Sequence, residues 1–288
     1  MRVLARWIGK HGMIKAATEY VRDPANARVR RAATEDKSWS AGGIDTDAMI
    51  ELVKASDRRV GTMLQLMKAY GLRRREAVMF KPHQADQLDG VAIRVRDGTK
   101  GGRERIVMIE TEEQKRALAD AKKIALTVNA HIEHPDHSLK QAINHFNYIM
   151  GKFGVTRNGL GITSHGLRHQ ALNDKYQRIT GVPSPVRGGQ RGEGDEFRNK
   201  LAKLHVAEMA GHSRESISTA YLGSLLSVKK KQTQSGHSNE QREPEHHSGQ
   251  MKNLMTELDG ILKTLNQTDG DASCESSPKT NPDSPTAH

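Results

Sequence analysis

The chain has 288 residues, 35% of them apolar, enough to bury one sizeable core with appendages but too few for a chain that is hydrophobic throughout. Lys and Arg outnumber Asp and Glu by 45 to 34, a formal net charge of +11, and this surplus points to a polyanionic partner. The single cysteine, Cys274, excludes an internal disulfide and a thiolate zinc cluster. No apolar run approaches the ~20 residues needed to span a bilayer, so the expectation is a cytoplasmic protein with no membrane contact.

In chain order, residues 2–22 carry two short helical patterns that make no core by themselves, and RVRRAATEDKSWSAGG after them reads as a basic linker. From Ile44 the pattern tightens. Asp45 or Thr46 serves as N-cap to an apolar periodic run, RVGTMLQLMKAY repeats the period, and Gly71 supplies a stop before GLRRREAV. VAIRV, the turn residues DGTKGG and RIVMI then spell a β-hairpin with Lys100 near its tip. Helical segments are expected at about 112–128, 138–152, from His165 onward, at 198–210 and at about 214–228, with a Pro- and Gly-punctuated loop over 182–197.

From 229 the composition turns polar and net acidic, so the domain before it is more cationic than the whole chain. The tail reads as disordered apart from Met251, Leu254, Met255, Leu258, Ile261, Leu262 and Leu265, which fall on one helical face. A helix at about 251–265, docking onto this domain or a neighbouring copy, is expected there.

Two histidine groupings invite a metal reading. His165 and His169 in TSHGLRHQAL are four apart, as in a zinc hydrolase, but Gly166 stands where the general-base glutamate would follow and no third ligand is evident. HIEHPDH, residues 131–137, clusters three histidines and two carboxylates, yet Pro135 breaks any common helical face, and a capped loop leading into a helix from Ser138 is the better reading. GGQRGEG lacks the Gly-Lys-Ser/Thr ending of a phosphate-binding loop. No metal and no cofactor is expected.

Taken singly, GLRRRE, TKGGRER, HGLRH and GHSRESISTAYL each fit an ordinary surface helix or turn; their joint order and internal spacing do not. Over about residues 44–226 the chain resembles the catalytic domain of the tyrosine recombinases, the phage-integrase family. The resemblance implies an α+β, mainly α fold, a helical bundle with a small antiparallel hairpin. It implies Tyr221 as nucleophile forming a 3′-phosphotyrosyl bond, and Arg73 and Arg168 as forks on the non-bridging oxygens. It further implies Lys100 as acid for the leaving 5′-oxygen, His165 assisting proton transfer and His212 donating to the phosphate. Glu76, three beyond Arg73, would orient that arginine, and His169 would support the site.

The interval from Arg168 to His212 is longer than in compact family members. The excess is read as an insertion whose Arg187 and Arg191 face DNA or a neighbouring protomer. Residues 1–43 would be the remnant of a helical core-binding domain plus linker, through truncation or a start codon placed too late. Residues 44–228 would be the catalytic domain, and 229–288 the tail. The expected work is integration or excision of a mobile element by a homo-tetramer on double-stranded DNA, nucleoid-associated, with accessory DNA-bending or directionality proteins. The alternative is a non-catalytic DNA-binding remnant that occupies recombination sites; supercoil relaxation by the same chemistry and a metal-dependent hydrolase stand further off.

Overall fold

A computed structural model describes residues 2–15, 19–20, 32–190 and 194–225. Arg191, the tail from 229 and its apolar stretch at 251–265 therefore lie outside the described residues, as does much of the second helical pattern expected before residue 22.

After α1 (Arg2–Trp7) come α2 (Thr46–Ser56) and α3 (Arg58–Tyr70). Asp45 caps α2 by accepting the N–H groups of Asp47 and Ala48, Asp57 caps α3, and Gly71 ends α3 in the left-handed region. Val60, Met63, Leu64, Leu66, Met67 and Tyr70 are all buried, so α3 is apolar round most of its circumference. A helix of that kind belongs at the centre, and α2, α6 and α8 pack around it.

The chain then makes α4 (Arg74–Val78) and α5 (Pro82–Ala85) and enters a three-stranded antiparallel sheet in the order β1 (Asp86–Gln87), β2 (Ala92–Val95), β3 (Arg105–Met108). β2 and β3 are the expected hairpin, with Ile93 opposite Val107. β1 is too short to show an alternation and was not legible. Gly98 in the hairpin turn has φ 75°, and a Cβ there would sit 2.6 Å from the Arg75 carbonyl, so the turn that carries Lys100 rests directly on the α4 backbone.

Three further helices follow: α6 (Glu112–Ile124), α7 (Leu139–Lys152) and α8 (His165–Thr180). Thr111 and Ser138 cap α6 and α7, each with a glutamine reaching back from three residues on. α6 stops short of the expected 128 because the β-branched and Asn residues of LTVN are weak helix formers. α9 (Glu196–Met209) matches its expected span, and within the described part of the helix expected at about 214–228, which reaches residue 225, the chain makes a 3-10 turn, Glu215–Ser218, and α10 (Thr219–Leu222), which Gly223 ends. The Ser, Ile and Thr residues of ESISTAY give that segment little intrinsic helicity.

Residues 36–43, read from the sequence as linker, are instead anchored to the core by the buried Ser38 and Trp39. Trp39 is fully buried and its indole N–H donates to the Thr163 carbonyl at 2.7 Å, just before α8 begins. Gly166 lets this strap approach: a Cβ there would lie 2.5 Å from the Lys37 carbonyl oxygen. At its other end the Ala33 N–H donates to the Thr219 carbonyl in α10 at 2.8 Å. Asp36 and Lys37 in the stretch hid a tryptophan that decides its fate. Trp39→Ala is expected to cost ~3–5 kcal/mol of unfolding free energy in urea titration, and Trp39→Phe to recover part of it. A loss below ~1 kcal/mol would show that the strap is dispensable.

Candidate active site

Glu76 is the hub. It is fully buried on α4 and accepts from the Arg73 backbone N–H at 2.8 Å and from Arg73 Nη1 at 2.6 Å. Arg105 on β3 grips both its oxygens, Nη1 to Oε1 at 2.9 Å and Nη2 to Oε2 at 2.7 Å. Arg168 Nη1 stands 3.9 Å away. Burial by itself would raise the Glu76 carboxyl, but the Arg105 fork, with help from Arg73 and Arg168, reverses this and holds it at about 2. Three guanidiniums thus surround one carboxylate, which leaves the cluster with surplus positive charge in a place screened from water.

The backbone absorbs part of that surplus. Arg73 Nη2 and Arg168 Nη2 both donate to the Ala210 carbonyl, at 2.9 and 2.6 Å, at the end of α9 where the helix dipole is negative. Arg168 is fully buried and also donates through Nη1 to the Gly71 carbonyl. Its Nε–H donates to the Tyr221 hydroxyl oxygen at 3.2 Å, and its guanidinium carbon lies 5.4 Å from the centre of the Tyr221 ring. An Arg offers five donors in a fixed plane, and here that plane runs from the carbonyls of α3 and α9 to the phenol.

His165 and His169 open α8, their rings edge to face at 5.1 Å, with Tyr221 at 6.3 and 5.0 Å. His165 is open to solvent on one side, while His169 is buried and its Nδ1 has no hydrogen-bond partner among the described residues. Burial draws His165 down to about 4, with Arg168, Arg73 and Lys37 adding to it. Burial and the neighbouring His165 draw His169 down to about 3. Both rings are therefore neutral at physiological pH and have a lone pair to offer. His212, half-buried just past α9, is lowered too, by burial and then by Arg73, Arg168, Arg103 and Arg105.

These shifts carry a stability prediction. The folded chain resists protonating His165 and His169 until far below 6.5, whereas the unfolded chain takes those protons near 6.5, so their stabilisation is complete above 6.5 and drains as pH falls toward the folded values. Between about pH 7 and about pH 5 the buried His169 is expected to account for ~2 kcal/mol, read as a fall in the urea midpoint that His169→Asn removes. A midpoint that holds level over that range would contradict a neutral, buried ring.

Arg73, Glu76, His165, Arg168, His169, His212 and Tyr221, expected from the sequence to act together, are thus brought together. Lys100 is not joined to them: it is exposed in the 3-10 turn Lys100–Gly102, without a hydrogen bond or ion pair among the described residues. Arg187 differs from its expected role facing DNA. Its Nε pairs with Asp36 at 3.0 Å and its Nη1 with Asp174 at 2.6 Å, so its charge pins the strap to α8. Arg105 was missed. The signal was available in the alternation of β3, where Arg105 shares the inward face with Val107. In HIEHPDH, His137 Nδ1 pairs with Glu133 at 3.0 Å, and nowhere among the described residues do three His, Cys, Asp or Glu side chains converge as ligands of a cation.

The fold thus brings a buried tyrosine hydroxyl, held by an arginine, among further arginines and neutral histidines. The family pattern described as Integrase matches residues 30–174, half of the chain. The chain belongs to the integrase family. Site-specific recombination of DNA is the work of that family, and DNA is the partner. The match takes in Arg73, Lys100, His165 and Arg168 and ends before His212 and Tyr221. A crystal structure of XerA recombinase is similar at 18% identity with a TM-score of 0.44, over 78% of this chain and 71% of that one. No curated protein matches. Among the described residues no helix of this integrase is long and apolar enough to cross a membrane.

Proposed function

We propose that the integrase exchanges DNA strands through a 3′-phosphotyrosyl intermediate without a metal ion, in the integration or excision of a mobile element. The single observation that carries this is the Tyr221 hydroxyl, hydrogen-bonded to the fully buried Arg168 beside the Arg73, Arg105 and Glu76 cluster. The Tyr221 oxygen attacks phosphorus, the bond from phosphorus to the 5′-oxygen breaks, and the phenolic proton passes to a neutral acceptor, for which the candidate is His165, uncharged and 6.3 Å from Tyr221 ring to ring. The phosphorane gathers negative charge that Arg73, Arg168 and His212 are arranged to meet, with cations already fixed before the reaction starts. Lys100, on its exposed turn, is the proton donor to the leaving 5′-oxygen once DNA covers it. The covalent bond retains the phosphodiester energy, so a 5′-hydroxyl from another strand reverses the step and completes exchange.

On this reading residues 44–228, with the strap packed on them, form the catalytic domain, the residues before the strap belong to the arm that would clamp the duplex, and the working form is a tetramer on paired sites, assisted by DNA-bending or directionality proteins. Arg187 acts within the protein, and Arg191 remains the candidate phosphate contact of the inserted loop.

The test uses the full chain, EDTA and a radiolabelled pool of nicked duplexes of randomised sequence, with denaturing electrophoresis as the readout. A DNA adduct that survives denaturant and chelator is expected, and sequencing it identifies the preferred site. Loss of adduct on chelation would replace this reading with a metal-dependent one. Binding without any adduct would favour the non-catalytic reading, a chain that occupies recombination sites.

A further inference from the structure

We propose that Arg105 is a positioning residue for strand transfer, acting through Glu76 to aim the Arg73 guanidinium. The inference rests on the strand-transfer reading above and goes beyond it in naming what holds that site in shape. Arg105 cannot itself meet a phosphate. Its side chain is 5% exposed and both terminal nitrogens are committed to Glu76. Arg73 is 23% exposed and is the arginine of the pair that an incoming phosphate can reach.

Arg73 depends on the carboxylate twice, through its backbone N–H and through Nη1, and it is the N-cap residue of α4, so its whole setting follows the position of Glu76. Glu76 in turn sits where burial favours the neutral acid, and Arg105 supplies the strongest opposition to that tendency. A protonated Glu76 would carry an O–H on one oxygen, which weakens one of the two hydrogen bonds that fix Arg73. Two further observations fit. Gly211 lies against both arginines at once, since a Cβ there would be in van der Waals contact with Arg105 Nη1 at 3.4 Å and Arg73 Nη1 at 3.6 Å. And Arg105 ties β3, the strand leaving the Lys100 turn, to the helix that begins at Arg73, so one ion pair registers both halves of the site.

A buried ion pair can be purely structural, and pH separates the two roles. In the full chain, adduct formation is followed with the nicked duplexes that wild type selects, from about pH 6 to about pH 9. Arg105→Met is expected to react ~10²-fold more slowly at neutral pH, the scale of a misaimed group, while DNA binding in a gel shift is unchanged. Its rate should climb with pH more steeply than that of wild type, because Glu76 has become a weaker acid and regains its charge only at higher pH. Arg105→Lys, which keeps the charge and loses the fork, should restore the wild-type pH profile at an intermediate rate. The double variant Arg105→Met with Glu76→Gln carries no unpaired buried carboxylate; it should be slow and lack the added pH step. If Arg105→Met does not fold, the lysine and double variants carry the comparison. Wild-type rate and profile in Arg105→Met would overturn the proposal alone, as would equal slowing by Met and Lys with an unaltered profile. Absence of any adduct from wild type would overturn the strand-transfer reading and this proposal with it.

Discussion

Tyr221→Phe is expected to end covalent capture of DNA, lowering the rate of adduct formation by ~10⁴-fold or more, the order seen when a covalent nucleophile is removed. The substitution deletes one oxygen, and in the fold that oxygen accepts a single hydrogen bond, from Arg168 Nε at 3.2 Å. Losing it leaves a buried donor unpaired, which costs ~1–3 kcal/mol, while the ring keeps its contacts with His165, His169 and the guanidinium. The variant should therefore melt slightly lower than wild type, bind DNA as well, and leave no adduct on a denaturing gel. An adduct that persists in Tyr221→Phe would place the nucleophile elsewhere in the chain. Unfolding at ambient temperature would instead mean that the hydroxyl serves the fold more than the reaction.

Glu76→Ala is expected to give the largest loss of stability of any single change in the site, ~3–5 kcal/mol, because it strands buried guanidiniums without a counter-charge. Arg105 and Arg168 are both buried and their pairing with Glu76 replaces the water they gave up on folding. Glu76→Gln preserves shape and an acceptor oxygen but not charge, and should lose nearly as much; a glutamine variant within ~1 kcal/mol of wild type would show that shape, not charge, holds the cluster. The acid limb offers an independent check. Glu76 is held at about 2 against an ordinary value of 4.5, so its contribution is present above 4.5 and lost as pH falls from there toward 2. Glu76→Gln should flatten that limb in part. Asp120 keeps the remainder: burial would raise it, but Lys54 and Lys123 hold it at about 2.

Much of the site was legible because its groups lie in short blocks whose internal spacing is local. Arg73 and Glu76 share one helical turn, His165, Arg168 and His169 share another, and both relations follow from 3.6 residues per turn once the helices are recognised. The caps at Asp45, Ser138 and the Gly71 stop were likewise readable, since a cap is decided by residues a few positions apart. What failed was of the opposite kind. The 36–43 strap read as linker because its neighbours are polar, yet Trp39 lies against Thr163, more than a hundred residues away in sequence. Arg187 read as a free cation because Asp36 and Asp174 are remote from it in the chain. Arg105 was read only as the first residue of a hairpin strand and not as part of the site, although strand alternation with Val107 already pointed it inward.

The sequence by itself thus determined the family, the mainly helical α+β class and the order of the candidate site residues, because motif spacing and helix periodicity are properties of neighbours along the chain. Only the tertiary structure decided which charges are spent inside the molecule. Burial and pairing depend on what the fold brings within hydrogen-bond reach, and that distinguishes Arg73, 23% exposed and open to a phosphate, from Arg105, whose two terminal nitrogens are both held by one buried carboxylate.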